Sequence, residues 1–285
     1  MFLPGLAFFL IFHYGPMFGL QIAFKDFSFR KGIGGSAWVG FKHFRVLFNS
    51  YYFPVILRNT LGISLYQLAV GFPAPLLLAL LLNEVSHSGV KRAMQTITYA
   101  PHFLSTTVVV SMVMAFLSPS TGIVNHLIVR LGGQAHYFMI DPKWFKSLYV
   151  ISGIWQSMGW GSIIYLAALS GVDVQLYEAA DMDGATRFQR IVHINLPCVL
   201  PTAILLLILD AGKMMNVGFE KVFLMQNDLT LDTSEIVATY VYRKGILGAQ
   251  YSFSTAVGLF NSVINFALML AVNQAAKRMS DVSIW

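Results

Sequence analysis

Six stretches of the chain carry no Asp, Glu, Lys or Arg: residues 1–24, 59–83, 93–129, 147–172, 191–209 and 245–276. Together they hold more than half of the 285 residues. A helix of about 20 apolar residues crosses about 30 Å of hydrocarbon, so each stretch reaches or nearly reaches the length a membrane span needs. The pattern predicts an all-α membrane protein with six spans, near 2–24, 57–83, 96–118, 148–171, 198–218 and 252–274. Pro16, Pro73, Pro75, Pro101 and Pro201 fall inside these spans. Kinks are expected there, with neighbouring helices or polar side chains meeting the freed carbonyls.

Three connections are long (25–56, 119–147 and 219–251) and three are shorter or tail-like (84–95, 172–197 and 275–285). The two sets alternate, so each occupies one side of the membrane. The long set contains aromatic and glycine-rich stretches, Phe27-Ser28-Phe29 and Gly32-Ile33-Gly34-Gly35. It also contains Ile123–Ile128, whose apolar spacing suits a short interfacial helix. No internal repeat and no soluble domain of 50 residues interrupts the chain, which reads as one membrane domain over 1–285.

Composition agrees. Hydrophobic residues make up 56% and charged residues 11%, with a mean hydropathy of +0.64, against about 25% charged in soluble domains. An ordinary soluble enzyme is excluded. The net charge of +6 is scattered among the connections with no run of four basic residues, which fits membrane flanks and not a nucleic-acid surface. The basic residues have nearly equal density in the two sets of connections and do not orient the chain. The first apolar stretch lacks a basic leader and an A-x-A cleavage site, so it reads as a retained span, and its abrupt start suggests a missing basic tail. Cys198 is the single cysteine and belongs to no metal-ligand cluster. His13 and His102 stand alone without partners at metal spacing and read as structural.

The most polar connection on the short side is 173–197. Asp173 can cap a first helix, with Glu178 and Asp181 on one face at i, i+3. Gly184 breaks it, and Thr186 with Gln189 forms a capping box for a second. Ala180 and Gly184, at i, i+4, leave a face that a partner can approach closely, and the Glu178 carboxylate beside it can dock a partner's arginine or lysine.

Glu178-Ala179-Ala180, Gly184, Ile194 and Leu196-Pro197 resemble, at all seven positions, the EAA signature of permease subunits in binding-protein-dependent ABC importers. The resemblance implies the type I importer transmembrane fold, with 172–197 as a cytoplasmic coupling helix that fits a cleft on an ATPase. Glu178 would be the ionic contact. Ala179, Ala180 and Gly184 would form the close-packed face, with Asp181 and Ala185 in the same segment, and Leu196-Pro197 would link to the next span. It implies as partners a second homologous permease subunit, two cytoplasmic ATPase subunits that carry the ATP and Mg, and an extracytoplasmic sugar-binding protein. It also implies residence in a prokaryotic cytoplasmic membrane with the C-terminus cytoplasmic, and no cofactor or metal on this chain. The stretches Trp38–Phe41, Arg58–Leu61, Tyr165–Leu169 and Asn216–Glu220 resemble carbohydrate-uptake permeases. Together with Thr239–Arg243 and Ala256–Phe260, they are similar to the branch associated with complex oligosaccharides.

Polar residues inside spans are costly unless they face protein, water or substrate. Asp210 and Lys213, at i, i+3, either pair with each other or line the pathway, and Asn216 one turn on is equally open. Trp155, Gln156, Trp160 and Tyr165 offer rings and hydrogen-bonding groups of the kind that bind sugars, or anchor and pack the helix. Asn261 and Asn265 share a face at i, i+4 for interhelical bonding or substrate contact. No G-x-x-x-x-G-K-[ST] loop is present, so the chain is not itself an ATPase of that type. An ion-coupled transporter built on inverted repeats is the competing class, disfavoured by the lack of repeats and by the single candidate ion pair. A membrane scaffold or receptor, the third class, has no need of a small-residue coupling helix.

Overall fold

The structure is a computed structural model that describes the backbone of residues 2–279. Helix α1 spans Leu3–Phe24, followed by a two-residue antiparallel ribbon, β1 (Lys25–Asp26) and β2 (Ala37–Trp38), in which Lys25 pairs with Trp38. Helices α2 (Lys42–Phe48), α3 (Tyr52–Asn83), α4 (Ser88–Phe103), α5 (Thr106–Phe116) and α6 (Ile123–Arg130) follow. Then come α7 (Phe145–Ser170), α8 (Val174–Met182), α9 (Arg187–Ala211), α10 (Phe219–Met225), α11 (Val237–Val241) and α12 (Tyr251–Met279).

Four helices, α1, α3, α9 and α12, are each long and apolar enough to cross a membrane, and the number reaches six if each of two bent pairs crosses as one. The pairs are α4 with α5, bent by 103°, and α7 with α8, bent by 76°. The span read near 96–118 is therefore two helices: Pro101 sits in a 3₁₀ turn at Ala100–Phe103, and Ser105 caps α5 by accepting from the Val108 amide. The span read near 198–218 is shifted toward the N-terminus. The capping box starts α9 at Arg187 and the helix runs through Pro197 without interruption, so the second short helix expected in 173–197 is the first turn of a span. Gly212 caps its other end. The expectation that the C-terminus is cytoplasmic concerns Trp285, which with the rest of 280–285 lies outside the described residues.

Three prolines, Pro16, Pro73 and Pro197, are accommodated by a widened turn before them. π-helical segments occupy Leu10–Tyr14, Gln67–Gly71 and Ile191–Asn195, and the carbonyls four residues before Pro16, Pro73 and Pro197 belong to their central residues. A proline ring clashes with that carbonyl and offers it no N–H; bonding to the fifth residue instead swings it aside while the helix continues.

Three apolar clusters hold the helices. Ile63, Val110, Tyr149, Val150 and Val222 join α3, α5, α7 and α10. Leu47, Ile56, Tyr240, Phe253 and Val257 join α2, α3, α11 and α12. Ala79, Leu80, Tyr165, Leu169, Val199 and Ala203 join α3, α7 and α9. Helix α7 lies at the centre. At Gly159 it runs so close to α4 that a Cβ would stand 2.0 Å from the Thr98 carbonyl oxygen. Helix α1 touches the rest chiefly through its last turns against α12 and leaves its other faces exposed.

Candidate functional site

The loop between α7 and α9 has the local structure its residues call for. Asp173 Oδ1 accepts from the Gln175 amide at 2.9 Å and caps α8. The helix ends in a left-handed residue, Gly184 at φ +73°, with the Ala185 amide bonded to the Ala180 carbonyl at 2.9 Å and the Gly184 amide to Asp181 at 3.2 Å. That double closure is the Schellman stop, for which glycine is preferred. Thr186 and Gln189 then exchange bonds as a capping box.

Glu178 and Ala179 are exposed, beside the exposed Val174, Leu176 and Met182. Helix α8 thus presents an apolar surface edged by a carboxylate. Ala180 and Ala185 are half-buried, as is Ile194 in the π segment. Leu196 packs on the cluster around Tyr165, while Pro197 is exposed. A Cβ on Gly184 would meet nothing within 4 Å, so the helix stop accounts for this glycine within the chain.

A polar network ties this loop to the helices. Asn195, fully buried, donates from Nδ2 to Glu84 at the end of α3 (3.1 Å) and accepts from the Tyr177 hydroxyl of α8 (2.5 Å). Arg190 bonds Asp181 at 2.5 Å and lies 3.7 Å from Glu84. Asp181 therefore faces an arginine of its own chain. Sequence reading passed over Tyr177, Arg190, Asn195 and Glu84: Glu84 lies 111 positions from Asn195, and Tyr177 and Asn195 meet only because the chain turns back between α8 and α9.

Nine pathway candidates came from the sequence, and six of them, Gln156, Trp160, Tyr165, Asp210, Lys213 and Asn216, line one cavity of about 560 Å³ between α3, α7, α9 and α10. Asn261 and Asn265 stand behind it: both donate to Asn216 Oδ1, at 3.0 and 3.1 Å, and Asn265 also accepts from the Met215 amide. Trp155 is not part of the lining. Gln156 donates to the Leu104 carbonyl at 3.0 Å, and Trp160 stacks on His102 with ring centroids 4.6 Å apart. Both side chains thus also brace the break between α4 and α5. Asp210 and Lys213 form no ion pair with each other. The helix ends between them, and Lys213 belongs to the turn that follows.

Ser64, Gln67, Tyr149, Ser157 and Lys221 complete the polar lining and were not singled out from sequence. Lys221 had one available signal: a lone cation among Phe219, Val222, Phe223, Leu224 and Met225. Its ammonium is buried, donating to the Tyr149 carbonyl at 2.9 Å and lying 4.8 Å over the Tyr149 ring, and burial pushes its pKa down to about 8. The cavity therefore combines amides, hydroxyls, an indole face, two ammonium groups and one carboxylate.

A family model described as binding-protein-dependent transport system inner membrane component matches residues 71–281. Protein LplB of Bacillus subtilis (strain 168) is 48% identical over 99% of this chain and 89% of its own length. The polygalacturonan/rhamnogalacturonan transport system permease protein YteP of the same organism is 45% identical over 100% of this chain and 89% of its own. Among solved structures, a chain of a bacterial ABC transporter involved in the import of the acidic polysaccharide alginate aligns with a TM-score of 0.91 at 44% identity, over 98% of this chain and 94% of that one. A chain of the bacterial alginate transporter in complex with an alginate pentasaccharide-bound periplasmic protein aligns at 0.92 and 43% identity, over 100% and 95%.

Proposed function

Because the chain belongs to the family of binding-protein-dependent transport system inner membrane components, we propose that it forms half of the translocation pathway of an ATP-driven oligosaccharide importer. The observation that carries the reading is a continuity of parts. The exposed face of α8 sits on a loop whose two flanking helices, α7 and α9, also wall the central cavity. Movement imposed on that loop reaches the cavity without an intermediary. The relatives named for polygalacturonan, rhamnogalacturonan and alginate support a saccharide as cargo, and Gln67, Gln156, Ser157 and the Trp160 face supply groups that bind sugar hydroxyls and ring faces.

In this mechanism Glu178 and the apolar residues around it seat in a cleft of a cytoplasmic ATPase subunit, and 172–197 is on the cytoplasmic side. A second, homologous permease subunit supplies the other half of the pathway and binds a second ATPase. An extracytoplasmic sugar-binding protein delivers cargo to the side of the long connections. ATP and Mg are held by the ATPases. Their closure opens the helices outward, and hydrolysis returns the cavity to the cytoplasm.

The test is co-purification of the assembled transporter carrying Glu178→Arg or Gly184→Trp, with saccharide-stimulated ATP hydrolysis measured in vesicles. The expected result is loss of both the ATPase subunit and the stimulated turnover. Uptake that persists without an ATPase and follows an ion gradient overturns the reading.

A further inference from the structure

We infer that the central cavity selects acidic saccharides and that Lys221 is the residue that holds a sugar carboxylate; this rests on the reading of the cavity as an oligosaccharide pathway.

Three observations converge on it. The first is charge. Lys213 and Lys221 are the cations of the lining and Asp210 its one carboxylate, which leaves a net positive cavity. The second is the setting of Lys221. A lysine on a short helix ordinarily extends its stem so that the ammonium reaches water. Here Val222 and Met225 bury the helix against α3, α5 and α7, and the ammonium turns inward to a carbonyl and an aromatic ring. It takes part in no ion pair. Burying a cation against neutral groups alone is unfavourable, and a methionine of similar length would pack without that penalty. An ammonium has three protons to donate, of which the Tyr149 carbonyl takes one.

The third observation is position. Gly153 stands beside this ammonium: a Cβ there would lie 3.2 Å from Nζ and 3.6 Å from the Gln67 side-chain oxygen. The missing side chain lets the ammonium lie close against α7 beside Gln67, so a charge donor and an amide stand next to each other on the cavity wall. Neutral sugar hydroxyls need only amides and hydroxyls, which the lining already supplies. A uronate adds a carboxylate that meets the unpaired charge and accepts charge-assisted bonds of about twice the ordinary strength. The depressed pKa leaves the amine protonated at neutral pH, and an anion beside it would raise that value again.

The experiment uses the assembled transporter in vesicles and compares wild type with Lys221→Met and Lys221→Arg. The probes are uronate tetrasaccharides of galacturonate, guluronate and mannuronate, each paired with its carboxyl-reduced neutral counterpart, at concentrations below saturation. The delivering protein is the same in every arm, so its own preference cancels when each variant is divided by wild type. Lys221→Met is expected to lower uptake of the acidic probe at least tenfold while the neutral counterpart changes by less than threefold, and Lys221→Arg is expected to restore most of the acidic uptake. Equal losses on both probes, or no loss on either, overturn the inference and leave the saccharide pathway standing. Uptake of none of the six probes by wild type overturns the pathway reading itself.

Discussion

Replacing Asn195 by alanine tests whether the 172–197 loop, proposed to couple to an ATPase, moves with the helices or only lies against them. Asn195 is fully buried and holds two partners from different elements, Glu84 of α3 and Tyr177 of α8. A hydrogen bond to a charged group contributes about 1.5–3 kcal/mol and a neutral one about 0.5–1.5, so the truncation removes roughly 2–4.5 kcal/mol from the ties that join α9 to α8 and to α3. Couplings between sites in proteins are commonly of about 1–3 kcal/mol, so this loss is large enough to uncouple them. In vesicles carrying the assembled transporter, Asn195→Ala is expected to cut saccharide stimulation of ATP hydrolysis about tenfold or more. On the proposed docking of an ATPase at Glu178, that subunit should stay bound, because the Glu178 face is untouched. Asn195→Asp keeps the acceptor for Tyr177 but sets a second carboxylate against Glu84. At about 4 Å and an effective dielectric of 20 their repulsion is about 4 kcal/mol, so it should be no better than alanine. Full stimulation in Asn195→Ala together with a lowered unfolding temperature would refute the argument and reduce the network to a structural brace.

Two further outcomes follow from single contacts. Gly159→Leu puts a side chain where even a Cβ falls 2.0 Å from the Thr98 carbonyl, so the chain should fail to accumulate in membranes, while Gly19→Leu, which meets nothing within 4 Å, should accumulate normally; immunoblots of membrane fractions decide. Lys221 has a folded-state pKa of about 8 against about 10.4 in the unfolded chain, so its protonation disfavours the fold by roughly 3 kcal/mol below pH 8, and that cost disappears as pH rises toward 10.4. The unfolding midpoint of wild type should therefore rise relative to that of Lys221→Met between pH 7.5 and 9.5, and a constant difference would contradict this.

The local chemistry of the 172–197 loop was legible residue by residue: Asp173, Gly184, Thr186 and Gln189 do what their side chains dictate over three or four positions. Six of the nine polar and aromatic residues picked out inside the spans share one cavity. Trp155 lies outside its lining, and nothing local separates an indole that packs from one that binds. The boundaries of α9 were misplaced because a charged first turn and a proline read as loop, whereas a capping box and a π turn carry the helix through both. Lys221 escaped notice because it lies outside the apolar stretches, in a connection that folds back between the helices. The network around Asn195 joins α3, α8 and α9, and only the tertiary fold brings those three together.

The contact of Gly159 with Thr98 has a mechanical consequence. Backbone meets α7 there with no flexible side chain between, so this crossing yields less than the side-chain contacts that hold the helix on either side of it. Ser170 lies 11 residues to one side and Phe145 14 to the other, arms of about 16 and 21 Å at 1.5 Å per residue. A rigid tilt of α7 would therefore take its fulcrum at a glycine. On such arms a displacement of about 2 Å at the Ser170 end returns as about 2.5 Å in the opposite direction at the far end, and the cavity wall, Tyr149 to Tyr165, straddles the pivot.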